Sequence, residues 1–338
     1  MYYNVILHVK MYMEKKSLVA AACLSLCVVT SSAQESSSVF SFLGLPTSAH
    51  AVALGGQGAS VISDDASLVA YNPALMMSVE GRSVNANFMT YMQGMKLASA
   101  NYMQPAGEKG SWGVTAQFLG YGSMKETDVE GRELGTFSPI DLVVGGGYSR
   151  MLGERWAAGA VGKFIYSSYG SVSSFSLAID AGINYYNENS EVSISLVGRN
   201  IGVQLKAFGD SRERLPINVE LGFSKGLVNT PFTFHVTLSD LNHWDTKDFS
   251  PLGEEVGFGK MLINHFIIGV DAKFAKMFRL SVGYNFRRAY ELKAANGSHG
   301  AGLSVGGGIY LKKFSFSVSW AKYHVSTSSL AFSAQYNL

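Results

Sequence analysis

The sequence predicts an all-β protein, a transmembrane antiparallel β-barrel of about fourteen strands preceded by a compact, irregular plug. Three observations predict it. From Arg82 to Leu338, apolar residues alternate with polar or small ones at a two-residue period, in runs of about ten residues. The connections between these runs are tight and long by turns. The chain also begins with an export segment, whereas a span by helix would need about 20 consecutive apolar residues.

The first element, residues 1–33, reads as a secretory signal peptide. Met13-Glu-Lys-Lys16 supplies a charged start, Leu18 to Val29 an apolar run, and Ser31-Ser-Ala33 the small residues of a cleavage site. Translation is expected to begin at Met13. Cleavage removes Cys23 and Cys27, leaving neither a disulfide nor a thiolate metal site. It also removes Lys10, Lys15, Lys16 and Glu14, so the 27 basic and 25 acidic residues become a formally neutral mature chain. A nucleic-acid binder would carry a basic surplus, so no nucleic-acid partner is expected.

Residues 34–81 form the second element. Its centre, Ala49 to Leu75, keeps neither a strand period nor a helix period but is too apolar for a solvated tail. Gly55, Gly56 and Gly58 permit tight reversals, and Pro73 biases Asn72 away from helix. A compact plug follows.

Residues 82–338 form the barrel, with strands expected near 82–92, 96–104, 111–121, 139–150, 156–167, 172–186, 192–199, 216–224, 231–239, 264–274, 278–287, 302–312, 314–323 and 329–338. The even connections are nearly all tight. Four odd ones are long, namely Tyr121 to Ser138, Asn200 to Leu215, Asp240 to Asn264 and Arg288 to Gly300. Short periplasmic turns opposite longer outer loops are the asymmetry of an outer-membrane barrel. Asp141, Lys163, Asp180, Arg199, Glu220, Asp271, Lys273 and Arg279 all fall opposite the apolar face of their strands. Such residues are costly against lipid and tolerated in a wet lumen. Parity alone does not say which face is inside, and a secreted β protein is the alternative; the export segment and loop asymmetry select the outer membrane.

Chemistry-bearing patterns are weak. His243-Trp-Asp245 could place an imidazole near a carboxylate but reads as a solvated loop. Gly55-Gly-Gln-Gly58 lacks the Lys-Ser/Thr of a phosphate loop, so these glycines, with Asp64 and Asp65, are expected to shape the plug. Gly145 to Gly147 and Gly306 to Gly308 lie within strands and mark bends or a close approach by the plug. Arg287-Arg288 reads as a solvated rim. Neither catalytic residues nor a metal or other cofactor are expected.

The run Ala49-x-Ala-x-Ala-Leu-Gly-Gly56, Asp64-Asp-Ala66 and Tyr71-Asn-Pro-Ala-Leu75 resembles the N-terminal signature of the FadL-like superfamily. The resemblance implies a fourteen-stranded outer-membrane barrel with an N-terminal hatch plugging the lumen. Phe42-Leu-Gly-Leu-Pro46, Tyr121-Gly-Ser-Met-Lys-Glu126, Gly162-Lys-Phe-Ile-Tyr166, Leu238-Ser-Asp-Leu-Asn-His-Trp-Asp245 and Gly283-Tyr-Asn-Phe-Arg-Arg288 resemble PorQ-type members of the PorV/PorQ family. That family serves the type IX secretion system of Bacteroidota. The resemblance implies a non-enzymatic barrel in the outer membrane that holds a PorZ-like surface protein in the cargo attachment complex, with the sortase PorU and the shuttle PorV. The alternative is a channel for hydrophobic small molecules, as elsewhere in the superfamily. A barrel offers a soluble partner only its rim, so Phe137, Trp244, Asp245 and Phe249 in the long loops are the candidate contacts. Gly55, Gly56, Gly58, Asp64, Asp65, Asn72 and Pro73 are assigned to the hatch.

Overall fold

A computed structural model describes residues 40–128, 130–210, 212–249, 256–275, 277–294, 300–324 and 327–338. The expected signal peptide lies outside them. The described chain opens with a 3₁₀ turn at Ser41–Gly44, helix α1 (Ala49–Ala53) and two further 3₁₀ segments, Ala66–Ala70 and Pro73–Ser78. The strands follow: β1 (Ser83–Thr90), β2 (Lys96–Pro105), β3 (Gly110–Gly120), β4 (Met124–Thr127), β5 (Glu133–Phe137), β6 (Ile140–Met151), β7 (Trp156–Tyr169), β8 (Val172–Asn187), β9 (Val192–Lys206), β10 (Asn218–Gly226) and β11 (Phe232–Leu238). Helix α2 (Phe258–Asn264) leads into β12 (Phe266–Phe274) and β13 (Phe278–Asn285). Helix α3 (Phe286–Ala294) precedes β14 (Leu303–Tyr310), β15 (Phe314–Ala321) and β16 (Ser329–Asn337).

All strands except β4 and β5 close into one antiparallel barrel of fourteen, in sequence order. Closure is made by β1 against β16, with Ser83 opposite Asn337 and Phe88 opposite Phe332. Closure leaves no unpaired edge, which a strand protein needs in lipid because hydrocarbon cannot satisfy backbone groups. Each expected strand is present to within a few residues, except that β9 runs on to Lys206. It passes a bulge where Asp180 faces the extra Arg199 and Asn200, and Asn200 takes φ +57°.

The two faces have opposite character. Phe88, Phe118, Phe164, Leu177, Leu221 and Phe316 are exposed on the outer wall. Asn85, Asp141, Asp180, Arg199, Glu220, Asp271 and Arg279 are buried facing the lumen, while Lys273 is exposed at its mouth. The core therefore lies inside the ring, between the strands and the hatch. An apolar cluster of Phe40, Phe42, Leu43, Met89, Leu97, Leu119 and Ile165 lies toward the long-loop end. Ala51, Leu54, Val61, Leu68, Tyr71 and Leu75 pack within the hatch below it.

Candidate functional site

The hatch is built from short capped turns. The Ser48 side chain accepts from Ala51 N at the start of α1, and Gly55 (φ +98°) and Gly56 (φ +103°) end it, with Gly56 N donating to Ala51 O at 2.8 Å. Positive φ favours glycine at both positions. Asp65 caps the Ala66–Ala70 turn by accepting from Ser67 N at 2.9 Å. Asn72 caps the next by accepting from Ala74 N at 2.9 Å, while its amide donates to Ala59 O at 2.8 Å. Asn72 is extended (φ −153°, ψ 111°), as expected of the residue before Pro73, and Pro73 itself starts the 3₁₀ turn, where a first-turn proline loses no hydrogen bond. Gly58 packs against Leu68.

Polar ties fasten the hatch to the wall at several points, Ala49 N to Ser333 Oγ and Ser60 Oγ to Ser224 Oγ among them, and four larger groups of side chains reinforce these. In the first, His50 Nε2 donates to Asp271 Oδ2 at 2.9 Å and Nδ1 accepts from Arg279 Nη1 at 2.8 Å. Ser281 Oγ donates to Asp271 Oδ1 at 2.5 Å, and Arg279 Nη2 donates to Ser63 Oγ at 3.1 Å. Burial, then the Arg279 guanidinium, holds the His50 pKa below its ordinary value, so the ring is neutral at neutral pH. In the second, Gln335 takes Ala66 N on Oε1 and donates from Nε2 to Asp64 O, both at 2.9 Å. Asn337 Nδ2 donates to Asp64 Oδ2 at 2.8 Å. Asp64 and Asp65 therefore serve shape and attachment.

The third tie is Arg199, whose Nη2 pairs with Glu220 at 2.7 Å and whose guanidinium carbon lies 5.8 Å from the Tyr71 ring centroid. Beside it Lys163 pairs with Asp180 at 2.8 Å. The fourth corrects the expectation for Arg288, which is buried rather than solvated. Its Nη1 donates to Gly55 O at 3.4 Å and its Nη2 to Ser304 Oγ at 2.6 Å, over the Tyr323 ring.

Lumenal glycines let the two backbones meet. A Cβ at Gly283 would lie 2.2 Å from Leu54 C and 2.3 Å from Gly55 N; one at Gly159 would lie 2.6 Å from Pro73 C. At Gly182 it would meet Asn72 Oδ1 at 2.1 Å, at Gly222 Ser60 Cβ at 2.9 Å, and at Gly306 Ala53 Cβ at 2.7 Å. Between the hatch and β2, β3, β6 and β7 a void of about 50 Å³ remains, lined by Leu43, Leu45, Tyr71, Gln117, Lys163 and Arg199 among others.

The long-loop rim carries structure the sequence did not announce. β4 and β5 form a separate hairpin pairing Met124 with Phe137, and Phe137 packs over Gly170. Trp244 and Asp245 are exposed; the indole donates to Leu241 O at 2.6 Å and lies 4.6 Å from the His265 ring. Phe249 is 1% exposed, beneath His265 and the Arg287 guanidinium, so it supports the rim rather than presenting itself. Arg287 pairs with Asp240 at 3.0 Å and Glu291 at 2.7 Å, and Lys260 Nζ sits 3.6 Å from the Tyr290 ring centroid, joining α2 to α3. The exposed apolar face there is Phe258, Leu262 and Ile263 of α2, with Phe258 67% exposed. A short apolar run inside a long loop was the only signal for it.

These features define a plugged β-barrel of the outer-membrane type. Comparisons with protein-family profiles and with curated proteins find no match. Solved structures do match. A Pseudomonas aeruginosa FadL homologue aligns at 10% identity and TM-score 0.51, over 86% of this chain and 98% of its own. The Pseudomonas putida toluene transporter TodX aligns at 10% and 0.55, over 87% and 99%. The CymD monoaromatic hydrocarbon channel aligns at 12% and 0.52, over 87% and 98%. The chain thus has the fold of FadL-type outer-membrane barrels, closed from fourteen strands around an N-terminal segment.

Proposed function

We propose that this chain is a non-enzymatic outer-membrane barrel that keeps its lumen shut and works through its outer rim, holding a PorZ-like surface protein in a type IX attachment complex with PorU and PorV. The observation that supports the shut lumen is the meeting of hatch and wall backbones at Gly159 and Gly283, with a void of only about 50 Å³ beside the hatch. On this reading the rim is the surface left for function, and α2 offers Phe258, Leu262 and Ile263 there. The type IX assignment itself is supported by the sequence motifs alone.

A second reading, a channel for hydrophobic small molecules, is favoured by the comparisons, whose structures include a toluene transporter and a monoaromatic hydrocarbon channel. On likeness of fold alone it stands ahead of the anchor. One experiment separates the two: affinity purification in mild detergent, comparing the wild type with Phe258→Asp/Ile263→Asp. The anchor predicts a surface protein that copurifies with the wild type and is lost from the variant while the barrel stays folded. No copurifying surface protein, together with faster uptake of a monoaromatic hydrocarbon by cells producing the barrel, would select the channel.

A further inference from the structure

We propose that the outer wall at β13–β16 and β1 binds one anionic glycerophospholipid, an acyl chain lying in a groove over Gly307 and the phosphate resting on Lys312 and Lys313. The groove encloses about 630 Å³ and is lined on its outer side by Phe88, Phe278, Leu280, Ile309, Phe316 and Phe332. That volume falls within the ~300–1,000 Å³ of small-molecule sites. All six side chains are at least 39% exposed. The floor is low because β14 carries Gly307 between outward Val305 and Ile309, opposite Leu280 and Val318. Next to it Ala86 and Ala334 face each other across β1 and β16. Bulky rings flank this floor, so the surface is a trough in the wall.

Its position and charge select the occupant. Ile309 and Phe316 are joined through the tight turn whose Leu311 N donates to Phe314 O at 2.7 Å, with Lys312 and Lys313 at its tip, both exposed. Arg82 stands on the same edge of the barrel, where its carbonyl accepts from Leu338 N, and Glu80 and Asp64 are the acids beside it, so with Lys312 and Lys313 three bases stand against two acids there. This is the short-turn end, which in outer-membrane barrels faces the periplasm, where the leaflet is phospholipid. Lysines close to a bilayer surface favour anionic headgroups by about five-fold each. The proposal requires only that the wall be in the membrane, and holds for an anchor or a channel.

The test uses the full mature protein reconstituted in vesicles of phosphatidylethanolamine and phosphatidylglycerol, extracted in mild detergent, with retained lipid counted by native mass spectrometry. The wild type is expected to keep one phosphatidylglycerol. Gly307→Trp, which fills the trough, should lose it, whereas Val144→Trp, on an outward position of β6, should not. Lys312→Gln/Lys313→Gln, in an exposed turn, should reduce the preference for phosphatidylglycerol over phosphatidylethanolamine by roughly 25-fold, following the same per-lysine factor. Folding of each variant is checked by heat-dependent gel migration. Retention by folded Gly307→Trp, equal loss in Val144→Trp, or an unchanged preference in the lysine variant would each overturn the site. Should Gly307→Trp not fold, the lysine variant alone decides.

Discussion

Gly283→Ala should unseat the hatch. The new methyl would sit 2.2 Å from the Leu54 carbonyl carbon and 2.3 Å from Gly55 N, and these are backbone atoms that no rotamer change can move aside. Overpacking a tight interior costs about 1–3 kcal/mol, and rigid neighbours on the hatch side put this case at the upper end. β13 is a strand whether or not the hatch is seated, so the strand preference of alanine over glycine cancels between the two states. A cost of at least about 2 kcal/mol corresponds to a rise of roughly 30-fold or more in the population with the hatch displaced. Because the mature chain is expected to lack cysteine, a single Ala51→Cys reports on the hatch, since Ala51 is fully buried there. Its maleimide labelling rate should rise by the same factor with Gly283→Ala. The same Cβ at outward Gly146 meets nothing within 4 Å, so Gly146→Ala should leave the rate unchanged. Equal rates in all three proteins would refute the reading that backbone contact seats the hatch.

Two further perturbations bear on the polar ties. Arg199→Met strands the buried Glu220 carboxylate and should cost about 3–5 kcal/mol, whereas Arg199→Met/Glu220→Leu should recover most of it; the temperature at which gel migration shifts measures both. Acidification should loosen the hatch through His50. Its folded pKa is depressed, so below about 6.5 the displaced state takes up a proton that the seated state resists, and stability falls as pH falls through that value. Maleimide labelling of Ala51→Cys should accelerate between pH 7 and pH 5, and His50→Gln should flatten that dependence.

The strands were legible because lipid and lumen impose opposite demands on alternate residues, as in Trp112, Val114 and Phe118 against Thr115 and Gln117. The parity reading failed where that demand lapses. β4 and β5 are exposed on nearly every residue, so they leave no alternation to read. β9 seemed to end at Arg199 because the bulge at Asn200 inserts a residue and breaks the period. The hatch glycines were legible as a reversal, yet their partners were not. His50 meets Asp271 across 221 residues and Arg279 across 229, and no local pattern encodes such a pair. Phe249 and Phe258 are both aromatics of one long loop; only packing against His265 and Arg287 distinguishes the buried ring from the exposed one.

The claim that the hatch closes the barrel is tested most directly by ion conductance of the purified protein in a planar bilayer, with and without residues 40–81. The account predicts no steady conductance from the intact chain and open, ohmic pores after the deletion. Steady conductance through the intact barrel, or a deletion that folds and opens nothing, would contradict it.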